Sequence, residues 1–301
     1  MRQTLTSVDK VAEHTPSAVS NHPVSRAVRR FGRHRLAVVG AIILLAMALA
    51  ALFAEQISPY PFEEQDLNRY REAPSAAHYL GTDTYGRDIL SRLIFGTRIS
   101  LSVGFISVAI YEVIAIILGS IAGYYGGRVD AVIMRAVDVV MTLPQLIVIV
   151  FMVAILGPGI FNTMIAIAAL GWTGPCRLVR GQILVLREMD YVTGSRSLGA
   201  SAPRLILFHL LPGVVGPLVV HATFGIANAI LTEAALSFLG FGVMPPDPSW
   251  GNMMTAAQEL VILGEMPWLW VPPGIAIVLA VLSINFVGDG LRDALDPKSM
   301  G

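Results

Sequence analysis

Residues Ile99 to Tyr125 read ISLSVGFISVAIYEVIAIILGSIAGYY, and the only charge among them is Glu112. Crossing a hydrocarbon layer as a helix takes about 20 apolar residues, and this stretch is long enough. Its Leu, Ile, Val and Ala mix without strand alternation, and an isolated strand could not satisfy its backbone in lipid, so it reads as a spanning helix. Gly119 and Gly123 stand four apart, the spacing that lets another helix pack closely. A carboxylate at mid-membrane depth is costly, so Glu112 is a candidate for lining a polar cavity.

Five more runs of this kind flank it: Leu36 to Ala54, Val139 to Leu156 (with a start near Ala131 also open), Ile160 to Cys176, Leu210 to Leu231 and Trp268 to Gly288. Asn228 lies in the fifth run in chain order and Glu233 just beyond it, and both join Glu112 as cavity candidates. His221, in the same run, reads as a satisfied bundle residue. Arg135 and Asp138 stand three apart on one helix face, where a structural ion pair is expected. Only Gly157, Pro158 and Gly159 separate the third run from the fourth.

Composition agrees with a membrane-embedded chain. Of 301 residues, 54% are hydrophobic and 14% charged, against about 25% charged in soluble domains. A water-soluble enzyme is excluded on that ground. The formal net charge is zero, which gives no reason to expect a nucleic-acid partner. Cys176 is the only cysteine, so neither a disulfide framework nor a cysteine-pair metal site can form. Lys10 and Lys298 are the only lysines and neither follows a glycine, so the phosphate-cradling G-x-x-x-x-G-K-[ST] loop is absent. No catalytic constellation is present either. Ser7 to Lys10 matches S-x-x-K in letters only, within a polar tail expected to be disordered.

The arginines set an orientation. With the N-terminal tail on the inside, Arg69, Arg71, Arg87, Arg92 and Arg98 fall outside, and the other sixteen of the 21 Lys and Arg fall inside. That bias is the positive-inside pattern. The polar lead before Leu36 is too long for the n-region of a cleaved signal peptide. The expected organisation is a cytoplasmic tail over 1–35, a first span over 36–54, an extracytoplasmic loop over 55–98, a core over 99–290 and a cytoplasmic tail over 291–301.

Two segments do more than span. The inner loop 181–209, GQILVLREMDYVTGSRSLGASAPRLILFH, is long for a membrane protein and amphipathic. Ile183, Leu184, Leu186 and Met189 form one stripe, and Leu205, Ile206 and Phe208 begin another. Ser201 followed by Pro203 signals a helix start, so two short helices joined at a glycine bend are expected. The outer segment 233–267 is too apolar for a free loop, yet Gly240, Gly242, Pro245, Pro246, Pro248 and Gly251 break any span. It is expected to fold back as a re-entrant element along the outer mouth.

The inner loop resembles the cytoplasmic loop of ABC importer permeases, whose pattern is Glu-Ala-Ala, three residues, Gly, nine residues, Ile, one residue, Leu-Pro. Gly199 takes the glycine and Leu211-Pro212 the closing pair, while Thr193-Gly194-Ser195 and His209 depart from the pattern. LGTDTYGRDILSRLIFGTRISL (Leu80 to Leu101), ALSFLGFGVMPPDPSWGNMM (Ala235 to Met254) and NFVGDGLRDALDP (Asn285 to Pro297) look like signatures of the dipeptide/oligopeptide/nickel permease family, C-type subunit. The resemblance runs from about Arg29 to Pro297. It implies an all-α polytopic membrane protein of six transmembrane helices with a cytoplasmic coupling helix, the type I importer architecture, in a bacterial inner membrane with both termini cytoplasmic. It further implies a related second permease subunit, two ATPase subunits that bind the ATP and Mg, and an extracytoplasmic substrate-binding protein. Tyr191, Gly199, Ala200, Ser201, Arg204 and Pro212 correspond to the region that couples to an ATPase. No cofactor is implied on this chain. Peptides are the implied substrate, with nickel, glutathione or another small solute as alternatives. A secondary carrier or an intramembrane enzyme is the reading from another class. A carrier would show internal repeats with matching broken helices, and an enzyme would need paired reactive groups at one depth; the sequence offers neither.

Overall fold

The computed structural model describes residues 28–295. The extreme tails, including Ser7 to Lys10 and Lys298, lie outside the described residues. Among those described, helices account for the architecture and no strand forms; one isolated bridge joins Thr82 and Asp88.

The first long helix, α1 (Arg35–Leu52), is capped by the His34 imidazole, which accepts from the Ala37 amide at 3.1 Å. Eighteen residues rise about 27 Å, close to the hydrocarbon thickness. α1 lies against the last helix, α12 (Val271–Leu295), through small residues. A methyl group added at Gly40 would sit 2.7 Å from the Ser283 carbonyl, and Gly290 packs directly on Ala37.

Helix α2 (Ile89–Tyr125) contains the quoted stretch but begins ten residues before it. Asp88 explains the earlier start: its carboxylate accepts from the Ser91 amide at 2.8 Å and the Ser91 hydroxyl at 2.7 Å. Gly126, at φ +65, ends the helix. The small pair serves the packing its spacing implies. A methyl group at Gly119 would meet the Cys176 carbonyl at 2.7 Å, and one at Gly123 would meet Ile183 at 2.9 Å. Both atoms belong to α6.

The third expected span is not one helix. It forms α3 (Gly127–Met141) and α4 (Gln145–Leu156), bent by 87°. Pro144 causes the break: it cannot donate into the preceding turn and pushes Leu143 out of helical backbone. Gly157 at φ +89 and Gly159 at φ +150 then turn the chain. The Asn162 amide donates to the Leu156 and Gly157 carbonyls at 3.0 and 2.8 Å, fixing that turn.

The fourth expected span also breaks. α5 (Ile160–Gly171) has 12 residues, a rise of about 18 Å, too short to cross alone. After Trp172, α6 (Thr173–Leu186) continues. The expected six spans thus appear as four single helices long and apolar enough to cross, plus one bent pair. The four are α1, α2, the stretch Ala202–Phe238, and α12.

Beyond α6 come α7 (Asp190–Ser197) and the one-turn α8 (Ala202–Leu205), joined at Gly199 with φ +84. The stripe Ile183, Leu184 and Leu186 belongs to the end of α6 rather than to the loop. A π-type turn, Ile206–Leu210, leads into α9 (Leu211–Phe238).

At the opposite end of the bundle, residues 239–270 fold over the helices with short helices α10 (Trp250–Met253) and α11 (Leu260–Glu265). Trp250 is fully buried beside Leu101, Ile230 and Ile284. The loop after α1 is tied to this cover. Arg92 donates to the Phe62 carbonyl at 3.4 Å and the Pro246 carbonyl at 3.3 Å, and Arg71 pairs with Glu259 at 3.0 Å.

Candidate functional site: a polar cavity and an exposed loop

A cavity of about 500 Å³ opens on one side of the bundle, between α2, α5, α6 and α9, with the α3–α4 break at its rim. Tyr111, Gln145, Thr173, His221, Asn228 and Thr232 give it polar groups, and none of its lining residues is Asp, Glu, Lys or Arg. Two glycines make the wall possible. A methyl group at Gly171 would stand 2.5 Å from the Tyr111 ring, and Gly225 lies against the Tyr111 hydroxyl. The ring is therefore clamped between two bare backbones.

Glu112 stands behind this wall. Its side chain is 9% exposed, and its Oε1 lies 3.0 Å from His221 Nδ1. Its other oxygen, Oε2, is buried without a hydrogen-bond partner among the described residues. His221 is one-third exposed (33%) and faces the cavity. Of the three cavity candidates, Asn228 lines the cavity and Glu112 backs it through His221.

Glu233 does neither. It is fully buried and accepts from Ser100 at 3.2 Å and Ser237 at 2.7 Å. Those hydroxyls in turn accept from the Trp250 and Val243 amides at 3.1 and 3.0 Å. Glu233 therefore pins the cover of residues 239–270 to α2 and α9. Its position at the end of an apolar run suggested a cavity, but the serines around it make it a structural hub.

The expected Arg135–Asp138 pair is corrected as well. Asp138 pairs with Arg177 of α6, and Arg135 stays exposed on α3. α6 runs alongside α3 and offers a partner from outside the helix. Arg180 reaches Asp130 in the same contact, its second nitrogen donating to Oδ2 at 2.5 Å. Arg187 closes this end by donating to the Gly123 carbonyl at 2.8 Å, satisfying a last-turn carbonyl of α2.

The loop of α7 and α8 is held from within and bare outside. Val192, Leu205 and Leu210 are buried with Val179 and Ile183 of α6 and Val214 of α9, and Ala200 packs against them. The Tyr191 hydroxyl donates to the His209 carbonyl at 3.4 Å, joining the two halves of the loop. Ser201, Arg204 and Pro212 are exposed, and nothing lies within 4 Å of a methyl group built on Gly199. Leu198, at 91% exposure, is an apolar tip of the loop.

Sequence reasoning missed Tyr111, Gln145, Thr173 and Thr232 in the wall, and the Glu112–His221 contact. The one available signal was the coincidence of two lone titratable groups, each in an otherwise uncharged run.

Residues 115–300 match the family described as binding-protein-dependent transport system inner membrane component. Residues 22–74 match the N-terminal transmembrane domain of oligopeptide transport permease C. A di/tripeptide transport system permease protein of Pseudomonas aeruginosa is 44% identical over 94% of this chain and 95% of its own. A glutathione transport system permease protein of Pectobacterium atrosepticum is 43% identical over 90% of this chain and 89% of its own. Among solved structures, the MetNI methionine ABC transporter in an inward-facing conformation superposes with a TM-score of 0.53 at 18% identity, over 68% of this chain and 96% of that one. That likeness carries the fold.

Proposed function

The chain belongs to the family of inner membrane components of binding-protein-dependent transport systems, and we propose that it forms half of an ATP-driven import path for di- and oligopeptides. It is a transport subunit, not an enzyme. The observation that carries the reading is the combination of a one-sided polar cavity with a loop whose outer face stays exposed among the described residues. A half-cavity needs a second half, which a related permease subunit supplies. The exposed loop needs a motor, which two ATPase subunits supply while binding the ATP and Mg. A binding protein delivers substrate at the covered end of the bundle, residues 239–270. In this arrangement α7, α8 and both termini face the cytoplasm of a bacterial inner membrane.

The packing supports a mechanism. Val192, Leu205 and Leu210 share one apolar cluster with α6 and α9, so a push on the loop moves both helices as a body. Thr173 of α6 and His221 and Asn228 of α9 line the cavity. ATP-driven closure at the loop would therefore tilt the cavity walls between inward- and outward-open states. The uncharged wall suits peptide amides.

The test is reconstitution of the chain with a second permease subunit, two ATPase subunits and the binding protein in vesicles. ATP-dependent uptake of labelled di- and tripeptides is expected. Uptake of nickel or glutathione without peptides would replace the substrate, and ATP hydrolysis by this chain alone would reject the reading.

A further inference from the structure

The Glu112–His221 pair does more than fill a gap between helices. Beside a carboxylate its geometry selects one tautomer of the imidazole. Glu112 Oε1 lies 3.0 Å from Nδ1, so a neutral His221 carries its proton on Nδ1 and donates it to the carboxylate. Nε2 is then an acceptor. It lies on the Gly174 side of the ring, 3.5 Å from a methyl group built there, and both residues line the cavity. The wall itself holds no Asp, Glu, Lys or Arg. Behind it stands Glu112, whose Oε2 is buried without a hydrogen-bond partner among the described residues. A carboxyl oxygen without a donor keeps its lone pairs free. The cavity therefore offers an Nε2 lone pair backed by a carboxyl group, which matches an ammonium donor and disfavours a second carboxylate.

We propose that His221, held by Glu112, forms a subsite for an ammonium group of the substrate, the amino terminus of a peptide or a lysine side chain. His221 makes the contact, and Glu112 is a positioning residue that acts through it. The inference rests on the transport reading and adds which end of the substrate this chain takes.

The test measures binding to the purified transporter complex without its binding protein, so delivery plays no part. Three probes separate the sources: alanyl-alanine amide carries only a terminal ammonium, N-acetyl-lysine amide only a side-chain ammonium, and N-acetyl-alanyl-alanine amide carries no charge. At least one ammonium probe is expected to bind about tenfold tighter than the third, in line with a hydrogen bond to a charged group. The tighter ammonium probe identifies the source. Glu112→Gln is expected to remove the difference. Should that variant fail to assemble, Asn228→Lys places a counter-charge on the same wall from an exposed position and is expected to remove it too. Equal binding of all three probes, or no binding of any, overturns the proposal. So does a preference that survives both substitutions. A Glu112→Gln complex that assembles poorly, with the preference intact in the assembled fraction, would show that Oε2 meets the second subunit, and overturns it as well. Vesicle uptake of alanyl-alanine by the unaltered complex distinguishes the two levels. If uptake proceeds while the probes fail, only the subsite falls; if there is no peptide uptake, the transport reading falls with it.

Discussion

At Gly199 the backbone sits at φ +84, in the left-handed region where a β-branched side chain is strained by about 1–2 kcal/mol. Open space around it does not relieve that strain. Gly199→Val is expected to insert normally but to lower ATP-dependent uptake, because the bend between α7 and α8 would shift. Full uptake by the variant would show that the bend is dispensable. The two α3–α6 ion pairs should differ. The Asp130 side chain is 17% exposed and held by two guanidinium nitrogens, whereas Asp138 is 51% exposed on one. Asp130→Asn is expected to cost about 1–2 kcal/mol and lower the thermal midpoint by a few degrees, and Asp138→Asn to change it little. Equal shifts in a melting experiment would contradict this ranking. Such partnerships were not legible in the sequence. Asp138 with Arg177 and Glu112 with His221 join residues far apart along the chain, and Arg135 was the nearer-looking partner only along one helix. Gly199 was legible, because a glycine between an amphipathic stretch and a Ser-Ala-Pro start has few other uses.

Among the helices, length and apolar character identified where the chain could cross, while boundaries and breaks depended on single polar residues and prolines. α2 begins at Asp88 because that carboxylate caps it, and α3 ends before Pro144. Both signals stood in the sequence within runs whose apolar character dominated the reading. The cover over 239–270 was legible from its prolines and glycines, but the role of Glu233 was not. Its partners Ser100, Ser237 and, through Trp250 and Val243, the cover backbone become visible only in three dimensions. Glu233→Ala leaves those hydroxyls short of an acceptor, at about 1–3 kcal/mol. Faster limited proteolysis within 239–270 is the expected outcome, and an unchanged cleavage rate would mean that the hub does not hold the cover. The α2–α6 seam gives a sharper contrast. Gly123→Ala places a methyl group 2.9 Å from Ile183, whereas Gly181→Ala, in α6, meets nothing within 4 Å. The first should destabilise the isolated chain, and the second should stabilise it by about 0.5–1 kcal/mol through helix propensity.

For the molecule as a whole, the orientation can be read chemically without altering its native thiol. Cys176 is fully buried, so a membrane-impermeant maleimide should leave the unaltered chain unlabelled. Leu198→Cys puts a thiol at a 91% exposed position of the loop, and labelling is expected only when the reagent reaches the cytoplasmic face. Labelling from the other face would remove any access for an ATPase. The contact between α1 and α12 has a topological consequence. His34 and Asp293 stand 3.9 Å apart, so the chain enters and leaves its bundle at one end. Such a path has even parity. Among the described residues four long helices and one bent pair make five, an odd number, so either α5 and α6 together complete a sixth traverse or the bent pair turns back without one. A reporter domain inserted at Pro158 separates the two: opposite compartments for it and Gly126 mean six passes, and a shared compartment means four.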